Sequence, residues 1–158
     1  MMIFGIIFGI LNLEVIKRNS QRCDGMTKLF DDLSTYFSQF GEIKAAYLFG
    51  SCAVGRNNSM SDIDIAVLLK DGTNNHDKKI ELLAGLVELG YDNVDLAILN
   101  DMSIVGRYEV IKHNKILYAD DDFDVHSYFS LVIRQYLDFK PYLEVQRKYL
   151  KERIMNGE

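Results

Sequence analysis

Apolar residues between positions 27 and 154 recur with two spacings, one typical of helices and one typical of strands. Helical spacing predicts helices at 27–40, 77–89, 103–113 and 124 to about 154. Short apolar runs predict strands at 43–49, 63–69, 93–99 and 116–118. The run at 63–69 is apolar throughout, so we expect this strand to be covered on both faces. The alternation of elements predicts an α/β domain with a small mixed β-sheet backed by helices.

Two of the predicted helices carry informative apolar patterns. The helix at 77–89 is expected to face the core through Ile80, Leu83, Leu86, Val87 and Leu89. The long C-terminal helix contains Pro141, which lacks a backbone donor and favours a bend. This helix has more aromatic residues than one stripe against a small sheet needs, so part of its surface is predicted to be an interface. These aromatic residues are Tyr128, Phe129, Tyr136, Phe139, Tyr142 and Tyr149.

The first 25 residues differ in pattern from the rest of the chain. Residues 1–15 are apolar almost throughout, but this run is shorter than the ~20 residues of a membrane helix and has no basic residues before it. We expect an extra packed element or upstream sequence translated from an early start, and favour the latter. Membrane attachment through residues 1–13 is a weaker alternative. The domain itself is predicted to span residues 26–158.

Composition narrows the class of protein. The 158 residues are 48% hydrophobic and 26% charged, as in a single soluble domain. The formal net charge of −5 argues against a nonspecific nucleic-acid binder. Cys23 and Cys52 form no zinc or disulfide pattern, so reduced thiols and a cytoplasmic location are expected.

The candidate chemistry lies where the first predicted strand ends and the second begins. Gly50 and Ser51 end the first strand, ten residues follow, and the second strand opens with Asp62 and Asp64. Alternate strand residues share a face, so the two carboxylates point the same way and repel each other unless a cation lies between them. Mg²⁺, carried in with substrate phosphates, suits such a pair. Gly50 permits close backbone approach, and Ser51 offers a hydroxyl and an N–H to a phosphate.

Each feature also has a simpler interpretation. An acidic pair at a strand start is often a solvated edge, and a Gly-Ser turn alone indicates little. A third carboxylate, Asp95, lies on the strand that follows the next helix. It could be a solvated strand-start residue, but the three features together favour a metal–nucleotide site.

The arrangement of Gly50-Ser51, ten residues and Asp62-x-Asp64 resembles the signature of the polymerase-β-type nucleotidyltransferases. The resemblance implies that Asp62, Asp64 and Asp95 bind two Mg²⁺ ions, and that Asp95 activates the incoming hydroxyl. It further implies that ATP is the substrate and is bound through residues around the Gly-Ser turn and the loop that follows. The nucleotide-binding candidates are Gly50, Ser51, Arg56 and Ser61. Many family members carry Arg where this chain has Val54, and Arg56 is the candidate to compensate.

Within that superfamily, residues 26–154 resemble the MntA-type antitoxins, which are paired with HEPN-domain toxins of the HepT type. The similarity rests on the active-site motif, on Ile116-Leu117-Tyr118, and on the segment 136–143. It implies a protein adenylyltransferase that transfers AMP to a tyrosine of a ribonuclease toxin within a hetero-oligomer. It implies no direct contact with nucleic acid and no membrane association.

Two alternative functions remain open at this point. One is an antitoxin that acts by binding alone, with a vestigial catalytic site. The other is nucleotide transfer to a small molecule such as an aminoglycoside. The roughly 60 residues after Asp95 leave little room for the additional substrate-binding region that this second activity needs.

Overall fold

The structure is a computed structural model that describes residues 24–50 and 62–157. Its helices are α1 (Asp24–Phe37), α2 (Asn75–Glu88), α3 (Ile104–Ile111) and α4 (Val125–Asn156). Its strands are β1 (Ile43–Phe49), β2 (Ile63–Leu69), β3 (Val94–Ile98) and β4 (Ile116–Ala119), and a 3₁₀ turn (Leu99–Asp101) links β3 to α3. The predicted order of elements is confirmed, with bounds that differ by a few residues.

The four strands form one mixed sheet in the order β3-β2-β1-β4. β1 pairs antiparallel with both β2 and β4, whereas β2 and β3 are parallel. Parallel neighbours need a long crossover connection, and α2 provides it. The predicted fold class, a small mixed sheet backed by helices, is confirmed.

Helices cover both faces of the sheet. On one face α1 and α2 enclose a cluster that includes Leu33, Phe37, Ile65, Val67 and Leu86. On the other face α3 and α4 contribute to a second cluster with the alternate strand residues. Because β2 lies between the two clusters, its residues from 65 to 69 are all buried, as the apolar run predicts.

The first helix ends earlier than its apolar spacing predicts. α1 stops at Phe37, and the chain then tightens through hydrogen bonds from Gln39 N to Tyr36 O and from Phe40 N to Phe37 O, each 3.2 Å long. Phe40 still packs against the core from this turn. The end of the helix therefore lies three residues before the predicted end at residue 40.

The predicted buried face of α2 is wrong in part. Ile80, Val87 and Leu89 are more than half exposed, whereas Leu82 and Lys78 are buried. Lys78 can be buried because its ammonium lies 3.0 Å from Glu42 and 2.8 Å from Glu81. Two stripes of apolar residues at helical spacing lie on this helix, and only one of them can face the core. Because the ammonium of Lys78 is paired, the stripe next to Lys78 can be the buried one.

The last two helices begin at side-chain caps. Ser103 caps α3 by accepting from Gly106 N, and Asp124 caps α4 by accepting from the backbone N–H groups of His126 and Ser127. α4 continues through Pro141 for 32 residues and ends at Gly157 in the left-handed conformation. The long C-terminal helix is confirmed. In the described ranges, no helix is both long enough and apolar enough to cross a membrane.

Candidate active site

The register of the sheet lines up three residues across three strands. Asp64 on β2 is the partner of Phe49 on β1 and of Asp95 on β3. Register partners on neighbouring strands share a face, so the two carboxylates lie side by side on the face covered by α3 and α4. Sequence alternation alone could not establish this proximity, because it depends on β2 and β3 being adjacent and in register.

The third predicted carboxylate flanks this row. Asp62 immediately precedes β2, two residues before Asp64, so an extended chain carries it toward the same face. Asp62 and Asp95 are exposed and Asp64 is partly buried. The carboxylates therefore lie at the end of the sheet where β2 and β3 begin, and solvent and ligands can reach them there.

Gly50 closes one side of the site through an unusually close approach. Its φ is +64°, a conformation that residues with a side chain rarely adopt. A Cβ on Gly50 would lie 1.9 Å from Oδ2 of Asp64 and 2.7 Å from its Cγ. Only a glycine fits between β1 and the Asp64 carboxylate, as the sequence-based hypothesis of close backbone approach requires.

The donor set suits Mg²⁺ in kind, because it consists of carboxylate oxygens. Within residues 24–50 and 62–157, however, no three acidic, histidine or cysteine side chains are grouped so that they could hold a metal ion by themselves. Mg²⁺ is usually held by one or two carboxylates together with substrate phosphates and waters, rather than by a cage made only of protein. An aligned pair such as Asp64 and Asp95 fits that mode of binding.

Two tyrosines that the sequence analysis did not assign to the site lie on the same face of the sheet. Tyr47 is paired with Ala66, two residues along β2 from Asp64, and Tyr128 packs beside it from α4. Burial raises the pKa of both phenols, most strongly that of Tyr47. The Tyr128 hydroxyl is buried without a hydrogen-bond partner in the described structure. Both groups stay protonated at neutral pH, so neither can act as a general base there.

The remaining predicted site residues cannot be placed. Ser51, Arg56 and Ser61 lie outside the described residues, as does Val54. Their proposed contacts with the nucleotide stay predictions.

Comparison with known proteins identifies the domain. Residues 31–123, more than half of the chain, match the family described as polymerase beta, nucleotidyltransferase. No functionally curated protein matches the chain in sequence.

Solved structures show similarity over more of the chain than the family match covers. A chain of a toxin–antitoxin complex with AMP-PNP is 25% identical and superimposes with a TM-score of 0.62, covering 80% of this chain and 98% of that one. A chain of the toxin–antitoxin complex MntA–HepT is 24% identical with a TM-score of 0.56, covering 80% and 96%. A complex from Shewanella oneidensis, described as a tri-AMPylated HEPN toxin with an MNT antitoxin, gives 24% identity, a TM-score of 0.56, and coverage of 80% and 95%. The shared fold thus spans most of the chain.

Proposed function

Because this chain belongs to the polymerase beta nucleotidyltransferase family, we propose that it is an antitoxin that transfers AMP from ATP to a tyrosine of a HEPN-domain toxin. The single observation that carries the proposal is the register that pairs Asp64 with Asp95 beside Gly50. An aligned pair of carboxylates at the accessible start of β2 and β3 suits metal-assisted phosphoryl transfer. The solved structure that contains AMP-PNP, at 25% identity, supports ATP as the nucleotide.

The reaction joins a hydroxyl oxygen to the α-phosphorus of ATP. The oxygen of the acceptor tyrosine attacks, the bond between the α-phosphorus and the bridging oxygen breaks, and pyrophosphate leaves. Asp95 would receive the proton from the hydroxyl, a role supported by its exposure on the same face as Asp64. Asp62 and Asp64 would hold Mg²⁺, which when bound neutralises charge on the phosphate oxygens.

The close contact between Gly50 and the Asp64 carboxylate would guide how the nucleotide binds. Gly50 brings the end of β1 against the carboxylate without a side chain between them. Backbone N–H groups of the following Gly-Ser turn would then reach a phosphate, with Ser51, Arg56 and Ser61 as further candidates. Preorganised donors of this kind stabilise charge that develops on transferring phosphates.

A protein acceptor is favoured by the exposed surface of α4. Tyr142 and Tyr149 are 68% and 64% exposed. Most other apolar side chains on this half of the helix are also more than half exposed. Large exposed apolar patches are typical of protein interaction sites. A HEPN-domain toxin is the partner indicated by the solved complexes of similar fold.

One experiment tests the transfer. The protein is incubated with Mg²⁺ and ATP labelled at the α-phosphate, together with the HEPN-domain protein encoded beside it or, in a parallel reaction, with an aminoglycoside. The label on each acceptor and the binding between the two proteins are measured. We expect label on the partner from the wild type and none from the Asp62→Ala, Asp64→Ala double variant. A chain lacking residues 1–25 should label as well as the full chain.

Three outcomes would contradict the proposal. Equal binding without label from the wild type and the double variant would indicate an antitoxin that acts by binding alone. Label transferred to an aminoglycoside but not to the protein would indicate a small-molecule nucleotidyltransferase. Label that persists in the double variant would mean that these carboxylates do not carry the reaction.

A further inference from the structure

The C-terminal half of α4 extends away from the domain with little support. Residues 139–156 would span about 27 Å as a helix, and apart from the half-buried Leu143 every one of them is exposed. Two ion pairs support it along its own surface, Lys140–Glu144 at 3.8 Å and Lys148–Glu152 at 4.0 Å. Both have the lysine on the N-terminal side, which is the weaker order for such pairs. Isolated helices of this length are marginal in water, so a packing partner would stabilise it.

The apolar spacing of α4 does not stop where the domain ends. Phe129 and Val132 pack into the core of the α3/α4 face, and Tyr136 stacks on Tyr108 with ring centroids 3.8 Å apart. Apolar residues continue in the same register along the uncovered half, with one interruption at the polar Gln146. We call these continuing residues the distal seam: Phe139, Leu143, Leu150 and Ile154.

The charges that border the distal seam are mostly basic. Helical periodicity places Lys140, Arg147 and Lys151 along one flank, where Glu144 pairs with Lys140, and places Arg153 along the other flank. Glu152 falls on the opposite side of the helix. Residues 139–157 carry five basic and two acidic side chains, in a chain whose formal net charge is −5. The exposed half of α4 is therefore basic although the protein as a whole is acidic.

We propose that the distal seam binds an apolar groove bordered by carboxylates on the partner protein. This inference rests on the proposed function, since the partner is the HEPN-domain protein of that proposal. An antiparallel pair of two copies would bring the basic flank of one copy against that of the other, which costs free energy. A groove bordered by acidic residues would instead match both the apolar stripe and its cationic flanks.

Binding is measured separately from transfer by titration calorimetry without ATP, using the full chain and the HEPN-domain protein encoded beside it. The seam variant carries Leu150→Glu and Ile154→Glu, whose side chains are 59% and 70% exposed. Its matched control carries Leu137→Glu and Met155→Glu, which are 56% and 76% exposed but lie on another side of the helix. We expect the seam variant to raise Kd about 100-fold, since two apolar side chains lose their burial, and the control to change it little.

A second pair of variants tests the charge. Lys140→Glu with Arg147→Glu reverses the flank of the seam, and Arg134→Glu with Lys148→Glu makes the same change in charge at exposed positions on the opposite side of the helix. The first pair should weaken binding about 10-fold more than the second, and the difference should shrink at high salt.

The outcomes separate this inference from the proposed function. Unchanged binding by the seam variant overturns the distal seam, even if the wild type transfers AMP. A wild-type dimer in light scattering that the seam variant abolishes also overturns it, because the occupant is then a second copy. If the seam variant loses binding and the wild type binds but transfers no AMP, the distal seam is supported and only the proposed catalysis is contradicted. Absence of any binding by the wild type contradicts both.

Discussion

The backbone of Gly50 and the side chain of Asp64 approach so closely that a methyl group on Gly50 would lie 1.9 Å from the carboxylate oxygen Oδ2. Gly50 also has a φ of +64°. The position thus excludes a side chain twice, once by backbone conformation and once by contact. The backbone of Gly50 and the carboxylate of Asp64 are fitted to each other, so a change at one must displace the other.

Gly50→Ala should therefore reduce activity far more than it reduces stability. A displacement of Asp64 by about 1 Å can lower a transfer rate roughly 100-fold, while the left-handed backbone costs about 1–2 kcal/mol. Gly72→Ala is the matched control, because Gly72 also has a positive φ, +87°, but open space around it. AMP-transfer rates and thermal melts should show a rate loss only in Gly50→Ala, and a stability loss that is larger in Gly50→Ala than in Gly72→Ala, because the clash with Asp64 adds to the backbone cost that both variants share. Equal rates would show that the contact with Asp64 has no catalytic consequence.

Asp95→Asn tests whether the partner of Asp64 takes part in the reaction. Removing a group that accepts a proton in the transition state typically lowers the rate about 100-fold or more. Asp95 is exposed, so the melting temperature should change little. Asp92→Asn removes another exposed carboxyl from the same segment and should leave the rate unchanged. A fully active Asp95→Asn protein would identify Asp95 as a solvated residue at the start of a strand.

Gly85→Ala should destabilise the protein even though alanine is the better helix former. A Cβ there would lie 2.3 Å from the hydroxyl oxygen of Tyr36, which is 7% exposed and donates a 3.0 Å hydrogen bond to Leu82 O. The overpacked contact should lower the free energy of unfolding by about 1–3 kcal/mol, outweighing the ~1 kcal/mol gain in helix propensity.

A double-mutant cycle identifies the cause of that loss. Tyr36→Phe removes the hydroxyl that the new Cβ would meet, so the double variant should lose less stability than the two single losses added together. Urea denaturation measures all four proteins, and we expect a coupling of at least about 0.5 kcal/mol. Simple additivity would mean that α1 and α2 shift apart without the clash.

Asp124 should make stability depend on pH at acidic values. The hydrogen bond from the Ser127 side chain, followed by the backbone N–H of Ser127, holds the pKa of Asp124 below its ordinary value. A carboxyl with a lowered folded-state pKa stabilises the fold above its ordinary pKa of about 4 and loses this contribution as pH falls through the folded pKa. The melting temperature should therefore fall on acidification below about pH 4.

Asp124→Asn keeps a capping oxygen but cannot titrate, so its melting temperature should fall less between about pH 5 and about pH 3 than that of the wild type. The Lys70–Asp120 pair, in which the lysine lowers the pKa of Asp120, should persist in this variant and leave a residual pH dependence. Asp121→Asn, which removes an exposed carboxyl from the same loop, should behave like the wild type. Identical acid profiles for all three proteins would exclude the cap of α4 as a source of acid sensitivity.

Local pattern determined the elements and the candidate residues. The apolar run of β2, the helical spacing of α1, α3 and α4, and the Gly50-Ser51 and Asp62-x-Asp64 motif could all be read from residues close in sequence. The predicted start of α3 at residue 103 agrees with the structure, in which Ser103 is the N-cap. Such features are decided by interactions between neighbours a few residues apart, which a sequence displays directly.

Only the tertiary structure decided which side of a helix is buried and which residues of different strands contact each other. It buried Lys78 rather than Ile80, because Glu42, distant in sequence, pairs with the lysine in addition to the neighbouring Glu81. It joined Asp64 to Asp95 through the register of two parallel strands, and left no room for a side chain at Gly50. The sequence by itself determined that Gly50 and these carboxylates were candidates. Their closeness depends on contacts between residues far apart in the chain, and such contacts have no signature in local spacing.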